Sequence, residues 1–219
     1  FEPYENIKTQ TKNAIYGKIG LQYDITDNLN ASVEIRKSYN AYESTDRNGW
    51  GGLALPDYTE DENYDSLDEI FGIINYQKDF SENFDVSASV GFENASNNYK
   101  RAYASAVGGL TTENFYSINT SVDRPNAFGT TRRSKRKSVF SKVSFGFMDM
   151  LYLDGSARLD WSSTADPKNN RVETYGGSMS FLFSKLIGQN DVLSFGKLRA
   201  SFAQAPSFPG TYAIAQTYD

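Results

Sequence analysis

Two neighbouring stretches of the chain, residues 139–147 and 151–161, alternate apolar and polar side chains with a period of two. In the second stretch the apolar side chains point one way, and Asp154, Arg158 and Asp160 point the other way. A period of two is typical of a β-strand. Only a few residues around Asp149 separate the two stretches. The pattern therefore predicts a β-hairpin with one apolar face and one ionic face.

The same alternation recurs along the chain and predicts eight strands in four hairpins. The predicted strands cover residues 13–24, 29–41, 67–80, 84–94, 135–147, 151–161, 175–183 and 198–202. The third strand is less regular, because Phe71 and Ile73 fall on its polar face, where we expect an interior contact. Short turns are predicted at Asp27, Glu82 and Asp149 and around Gly188, the last within a connection of residues 184–193 that could hold a helical turn.

Long polar loops are predicted between the hairpins, over residues 42–66, 95–134 and 162–171. Short turns at one end of the strands and long loops at the other end are typical of outer-membrane barrels. The sequence therefore predicts an all-β fold, an antiparallel transmembrane β-barrel. A soluble sandwich is the alternative, since its strands also alternate, but it would not separate the loop lengths in this way.

Composition agrees with this prediction. The mean hydropathy is -0.56, which a barrel allows because only alternate strand residues face lipid. Aromatic residues make up 15% of the chain, and Tyr16, Tyr39, Trp161 and Tyr175 are candidates for interfacial girdles. The net charge of -5 argues against a nucleic-acid partner.

The chain contains no Cys and no His. Disulfides and thiolate metal sites are therefore excluded, and the commonest general base is missing. We expect neither an enzyme nor a cofactor. Asp154 and Asp160 could form a catalytic carboxylate pair beside Arg158, but a lumen-facing ion-pair network is the preferred interpretation, because inward barrel faces are polar.

Aromatic side chains in the predicted loops are candidates for substrate binding, by stacking on sugar rings or packing against peptide side chains. They are Trp50, Tyr58, Tyr64, Tyr103, Phe115 and Tyr116. The alternative is that these rings hold the loops together or contact another protein.

The sequence contains one acidic cluster and one basic cluster, and each has more than one possible role. An acidic predicted loop could bind calcium but lacks the EF-hand spacing, so a solvated loop is the alternative. Its carboxylates belong to Asp57, Glu60, Asp61, Glu62 and Asp65. A basic run could meet anionic lipopolysaccharide, form a solvated strand end or pair with the acidic loop. It contains Arg132, Arg133, Lys135, Arg136 and Lys137.

Four motifs in the second half of the chain resemble, in order, those of SusC/RagA-type TonB-dependent transporters. They are GLTTENFYS at 109–117, YLDGSARLDWSS at 152–163, PKNNR at 167–171 and KLRASFAQ at 197–204. Phe202 and Ala203 depart from the family's usual Tyr and Gly. The first hundred residues match the family only in architecture.

The resemblance implies a 22-stranded, plugged barrel in the outer membrane of Bacteroidetes. It implies import of oligosaccharides or peptides, a SusD-like surface lipoprotein as partner, and energy coupling through TonB. The sequence shows no plug, no coupling box and no terminal aromatic strand. We therefore expect residues 1–219 to be an internal part of the barrel wall. A small closed barrel or a soluble sandwich with a structural or adhesive role is the alternative.

Overall fold

The computed structural model of the chain describes residues 6–187, 195–211 and 213, and it contains eight strands in one antiparallel sheet. The strands are β1 Ile7–Thr26, β2 Leu29–Asn48, β3 Asp57–Ser81, β4 Phe84–Ser105, β5 Asn126–Phe147, β6 Leu151–Ser162, β7 Arg171–Phe181 and β8 Leu198–Gln204. A 3₁₀ turn, Ile118–Thr120, and a single helical turn, α1 Ser184–Ile187, complete the regular structure. The predicted all-β fold is confirmed.

Each strand pairs with its neighbours in the chain, in the order β1 to β8. Within the part of the chain that the structure describes, β1 and β8 are therefore the two edge strands. β1 is exposed along its whole length. Among the described residues, all eight strands belong to one sheet, whereas a sandwich would divide them between two sheets, and β1 and β8 are not paired as a closed eight-stranded barrel would require.

Strands β2 to β5 extend well beyond their predicted ends. Two predicted long loops were therefore wrong: the connections cover only residues 49–56 and 106–125. The extensions carry polar side chains on both faces. They therefore lack the alternation of apolar and polar residues by which a half-buried strand is recognised in a sequence. The polar loop after β6 was predicted correctly and covers residues 163–170.

The hairpin of β5 and β6 forms as predicted, with Phe147 paired to Leu151. Met150 N–H donates to Phe147 C=O over 2.9 Å, and Met148 and Asp149 have φ values of 51° and 49°. Two central residues with positive φ define a type I′ turn, whose twist matches that of the strands. The helical turn predicted after β7 is present as α1, whereas the turn predicted around Gly188 lies outside the described residues.

The chain divides into two compact units, which are described separately. The loop unit consists of Phe1–Gly17, Lys37–Asp68 and Asn97–Arg133, and the turn unit of Lys18–Arg36, Glu69–Ser96 and Ser134–Asp219. No helix in the described part of the chain is long and apolar enough to cross a membrane.

The turn unit leaves large apolar side chains uncovered. Ile19 and Leu21 are 77% and 80% exposed. Further exposed apolar residues follow the predicted alternation: Val33, Ile35, Ile70, Ile74, Val90, Phe92, Val139, Phe145, Leu153 and Met179. In the described part of the whole chain, the buried apolar residues are Ala41, Ala95 and Leu110. Such a face is unfavourable in water and marks a contact with lipid or with another apolar surface.

Candidate functional site

Arg158 of β6 is the centre of a hydrogen-bonded network in the turn unit. Its Nε donates to both carboxylate oxygens of Asp160, each over 3.0 Å, and its Nη2 donates to Ser138 Oγ over 2.8 Å and to Glu93 Oε2 over 3.3 Å. Ser138 is only 2% exposed and donates in turn to Asp160 Oδ1. The network joins β4, β5 and β6, and its charges are therefore compensated locally.

Asp154 has its own partners on the same face of β6. The register places Ser144, Asp154 and Ser178 side by side on β5, β6 and β7. Ser144 Oγ donates to Asp154 Oδ1 over 2.6 Å, and Ser178 Oγ donates to Oδ2 over 2.9 Å. Asp154 and Asp160 are thus bound to separate partners, which is the arrangement of a structural network and not of a carboxylate pair.

An ion-paired cluster on β1, β2 and β3 extends the charged character of the turn unit. Arg36 donates to Glu34 through Nε and Nη2 and to Glu69 through Nη1, the last over 2.8 Å. Lys18 Nζ lies 3.2 Å from Glu34 Oε1. Cross-strand pairs of opposite charge favour this register of the sheet.

Two aromatic rings lie among these charges. Phe71 of β3 stacks on Phe140 of β5, the guanidinium of Arg36 lies 4.9 Å from the ring centre of Phe71, and that of Arg158 lies 5.7 Å from the ring centre of Phe140. The interior contact predicted for Phe71 is therefore with Phe140. The sequence analysis missed Phe140 as a partner. Like Phe71 on β3, Phe140 is an aromatic residue on the polar face of its strand, between Ser138 and Lys142.

In the loop unit, Arg101 of β4 is the central residue. Its Nε and Nη2 donate to the two carboxylate oxygens of Asp61 on β3, over 2.8 and 2.7 Å. These hydrogen bonds hold the pKa of Asp61 below its ordinary value and raise the pKa of Arg101. The same guanidinium lies about 5.4 and 5.5 Å from the ring centres of Tyr103 and Phe128, which stack on each other.

An open groove of about 410 Å³ lies on this face of the loop unit. Three carboxylates line it, those of Asp46, Asp57 and Asp61. The other lining residues are Lys8, Tyr42, Ser44, Asn48, Thr59 and Tyr103. Lys8 Nζ lies 3.4 Å from Asp46 Oδ2. Lys8 pairs with Asp46 and Arg101 pairs with Asp61, so Asp57 is the lining carboxylate for which no ion pair is found among the described residues. This carboxylate, together with hydroxyls and an aromatic ring, makes the groove, named here the acidic groove, suited to a polar ligand that carries a cationic group.

The six predicted substrate-binding aromatics do not form one cluster. Tyr58, Tyr64 and Tyr103 lie on strands β3 and β4, which corrects their assignment to loops, while the other three lie in the connections 49–56 and 106–125. Tyr58 and Tyr64 alternate with Asp57 and Asp61 along β3 and therefore lie on the opposite face of the strand. Tyr103 lines the acidic groove, Tyr64 stacks on Tyr39, and Tyr116 lies under the guanidinium of Arg47. The loop aromatics Trp50 and Phe115 are half-buried and exposed, respectively.

Both charged clusters lie on strands, which corrects their assignment to a loop and a strand end. The five acidic residues belong to β3, where alternation places Asp57, Asp61 and Asp65 on one face and Glu60 and Glu62 on the other. In the described ranges of the chain, no group of three potential ligands could hold a metal ion.

The basic run lies within β5. Its residues also alternate between the faces of the strand. Arg132 lies 5.8 Å from the ring centre of Tyr99, and Arg136 Nη2 lies 2.6 Å from Glu93 Oε1. Arg136 therefore pairs with Glu93 of β4 and not with the acidic cluster of β3.

No protein-family model matches the chain, and no curated protein matches it in sequence. Among solved structures it is similar to the RagAB peptide transporter, with a TM-score of 0.72 and 18% identity over 90% of this chain and 23% of that chain. The RagAB peptide importer in the open-open and closed-closed states gives TM-scores of 0.71 and 0.67, each at 18% identity and over 90% of this chain. The chain spans about a quarter of the length of these chains. The expected resemblance to SusC/RagA-type transporters is thus confirmed as a resemblance of fold.

Proposed function

We propose that this chain is part of the barrel wall of a SusC/RagA-type TonB-dependent transporter in the bacterial outer membrane. The observation that carries this proposal is a single sheet with one exposed apolar face and one ion-paired face, whose fold is shared with the RagAB peptide transporter over 90% of the chain. Open strand edges are not tolerated in lipid. In the proposed barrel of about 22 strands, β1 and β8 pair with further strands.

In this proposal the apolar face of the turn unit contacts lipid, and the opposite face, with Asp154, Arg158 and Asp160, lines the lumen. A transmembrane strand needs only about 9–11 residues, whereas β3 has 25. The part of β3 that belongs to the loop unit, Asp57–Asp68, carries charged residues on both faces. We assign the loop unit to the extracellular side, because charges on both faces are costly in lipid.

We propose peptides as the substrate and the acidic groove as a contact site. Residues that are an even number of positions apart lie on the same face of a strand. On β3, Asp61 therefore shares the face of Glu69. On β4, Arg101 and Tyr103 share the face of Glu93, so all three lie on the proposed lumen side. The carboxylate of Asp57 fits an ammonium group of a peptide, and the Tyr103 ring fits its apolar side chains. The similarity of fold to the RagAB peptide transporter supports this class over oligosaccharides.

The proposal includes two protein partners and the surrounding membrane. A SusD-like lipoprotein contacts the connections 49–56 and 106–125, where Trp50, Phe115 and Tyr116 are placed. TonB supplies energy through a part of the transporter other than these strands. Lipid and lipopolysaccharide surround the wall. The function is transport, and no group of this chain is assigned a catalytic role.

Uptake of a labelled peptide mixture by the source bacterium tests the proposed function. Deletion of the gene abolishes uptake, the full-length gene restores it, and Tyr103→Ala restores it only in part. Tyr58→Ala, which changes a tyrosine on the opposite face of β3, is the matched control and restores uptake fully. Unchanged peptide uptake in the deletion strain would contradict the proposal, and loss of growth on an oligosaccharide instead would assign the saccharide class.

Peptide uptake by the variant that combines Trp50→Ala with Tyr116→Ala tests whether the connections 49–56 and 106–125 contribute to the substrate path. If these substitutions leave uptake unchanged, the loop aromatics are not part of the substrate path.

A further inference from the structure

A second groove, of about 470 Å³, lies in the loop unit and has a different lining from the acidic groove. Its lining residues are Tyr39, Tyr64, Ser66, Asn98, Lys100 and Arg133. The Tyr39 and Tyr64 rings are stacked, with their centres 6.3 Å apart and 25° between their planes. This groove, named here the basic groove, therefore offers a broad aromatic surface beside two cations and two small polar side chains.

The two cations of the basic groove are free to bind a ligand. No carboxylate lines the groove. Lys100 and Arg133 are exposed, and neither forms an ion pair with any residue that the structure describes. This separates Arg133 from its neighbour Arg136, which is paired with Glu93. An anionic group can therefore approach Lys100 and Arg133 without displacing an existing partner.

The groove belongs to the side of the strands that carries the apolar residues. On β2, Tyr39 lies on the same face as Ile35, and on β5, Arg133 lies on the same face as Val139, because an even number of positions separates each pair. The same holds for Ser66 with Ile70 on β3 and for Asn98 and Lys100 with Phe92 on β4. The groove residues lie four to eight positions from the named apolar residues of their strands, and each position advances roughly 3.3 Å.

We infer that the basic groove binds the phosphorylated saccharide headgroup of lipopolysaccharide in the outer leaflet. This inference rests on the proposed function, because the apolar residues mark the lipid contact and the groove residues lie on the same side of the same strands. The guanidinium of Arg133 binds a phosphate through two parallel hydrogen bonds, and Lys100 adds a compact charge. The tyrosine rings pack against the flat face of a sugar, and Ser66 and Asn98 are hydrogen-bond partners for its hydroxyls.

The charges around the groove favour a ligand with a neutral part and an anionic part. The Tyr64 hydroxyl donates to Glu62 Oε2 over 3.4 Å, so the aromatic end adjoins a carboxylate. Phosphate is repelled from that end and attracted to Lys100 and Arg133. A phosphorylated sugar meets both requirements, whereas inorganic phosphate uses only the two cations.

Binding of fluorescent rough-type lipopolysaccharide to the purified full-length protein in detergent tests this inference. Lys100→Gln with Arg133→Gln raises Kd about tenfold or more, because two charge-assisted contacts are lost. Lys168→Gln with Lys185→Gln removes the same charge from residues outside the groove and changes Kd less than about twofold. Equal Kd values for the wild type and the groove variant would overturn the inference.

A tyrosine variant and a competition experiment distinguish lipopolysaccharide from soluble phosphates as the ligand. Tyr39→Leu with Tyr64→Leu keeps the charges and weakens lipopolysaccharide binding, while binding of inorganic phosphate stays unchanged. Glucose 1-phosphate and inorganic phosphate compete only weakly with lipopolysaccharide. If glucose 1-phosphate binds as tightly as lipopolysaccharide, the ligand is a soluble sugar phosphate and the assignment to the lipid is wrong.

Membrane fractionation and peptide uptake separate this inference from the proposed function. Wild-type protein that is found in the outer membrane and imports peptide, but whose lipopolysaccharide affinity does not depend on Lys100 and Arg133, contradicts only the basic groove. Protein that is absent from the outer membrane contradicts the proposed function itself. Retention of the folded band on unheated gels confirms that each variant still folds.

Discussion

The ring of Phe71 stacks on the ring of Phe140, with ring centres 5.7 Å apart and 21° between the planes. The two residues belong to β3 and β5, which are separated by β4. The contact is possible because β4 has Gly91 at this point: a Cβ there would lie 2.4 Å from Phe140 Cζ. The guanidinium of Arg36 lies over the Phe71 ring and that of Arg158 over the Phe140 ring, so each ring has a cation beside it.

Gly91→Ala should destabilise the protein by about 1–3 kcal/mol, because the added methyl group forces the Phe140 ring out of its position. Gly17→Ala is the matched control, since nothing lies within 4 Å of the new Cβ. Urea unfolding of the purified protein in detergent, followed by the shift of the folded band on unheated gels, measures both. Equal midpoints for the two variants would show that the Phe140 ring is not held over Gly91.

Arg158→Leu should cost about 2 kcal/mol of stability, because the largely buried Asp160 loses its cation and Glu93 keeps only its pair with Arg136. Arg171→Leu removes an arginine whose pair with Glu173 is more than half exposed. That control should cost less than about 0.5 kcal/mol. The same unfolding assay compares them, and an equal cost would refute the structural role assigned to the network.

The stability contributed by the Asp61–Arg101 pair should depend on pH. Since the pKa of Asp61 is lower in the folded state than its ordinary value of about 3.9, the contribution is complete above that ordinary value. It is lost as the pH falls through the lower, folded-state pKa. Urea midpoints between pH 5 and pH 2 should therefore fall less steeply in Asp61→Asn than in the wild type. Thr59→Val, on the same strand, changes no titrating group and should retain the wild-type slope. Identical slopes for all three proteins would contradict the prediction.

The turn between β5 and β6 should become more stable when residues that accept positive φ replace Met148 and Asp149. Met148→Asn with Asp149→Gly should raise stability by about 1 kcal/mol, because a side chain in the left-handed region is strained. Asp27→Asn with Asn28→Gly places the same pair in a turn without positive φ and should give no gain. A gain in both turns, measured as the urea midpoint, would show that backbone strain at Met148 is not the cause.

The alternation of apolar and polar residues predicted all eight strands, because a strand with one apolar face places an apolar side chain at every second position. It also placed Asp154, Arg158 and Asp160 correctly on one face of β6, since their even spacing alone decides this. It failed for Tyr58, Tyr64 and Tyr103. These residues lie on strand segments whose two faces are both polar, and there side-chain periodicity carries no signal of the backbone pairing.

The sequence by itself determined which face of each strand is apolar and where the tight turns lie, because both depend on local spacing and on turn residues. Only the tertiary structure decided how far β2 to β5 extend and which residues meet across the sheet. Glu93 reaches Arg158, and Phe71 reaches Phe140, because the strand register brings together positions that are distant in the chain. The two grooves of the loop unit have the same origin, since each is lined by side chains from several strands and no single stretch of sequence contains either of them.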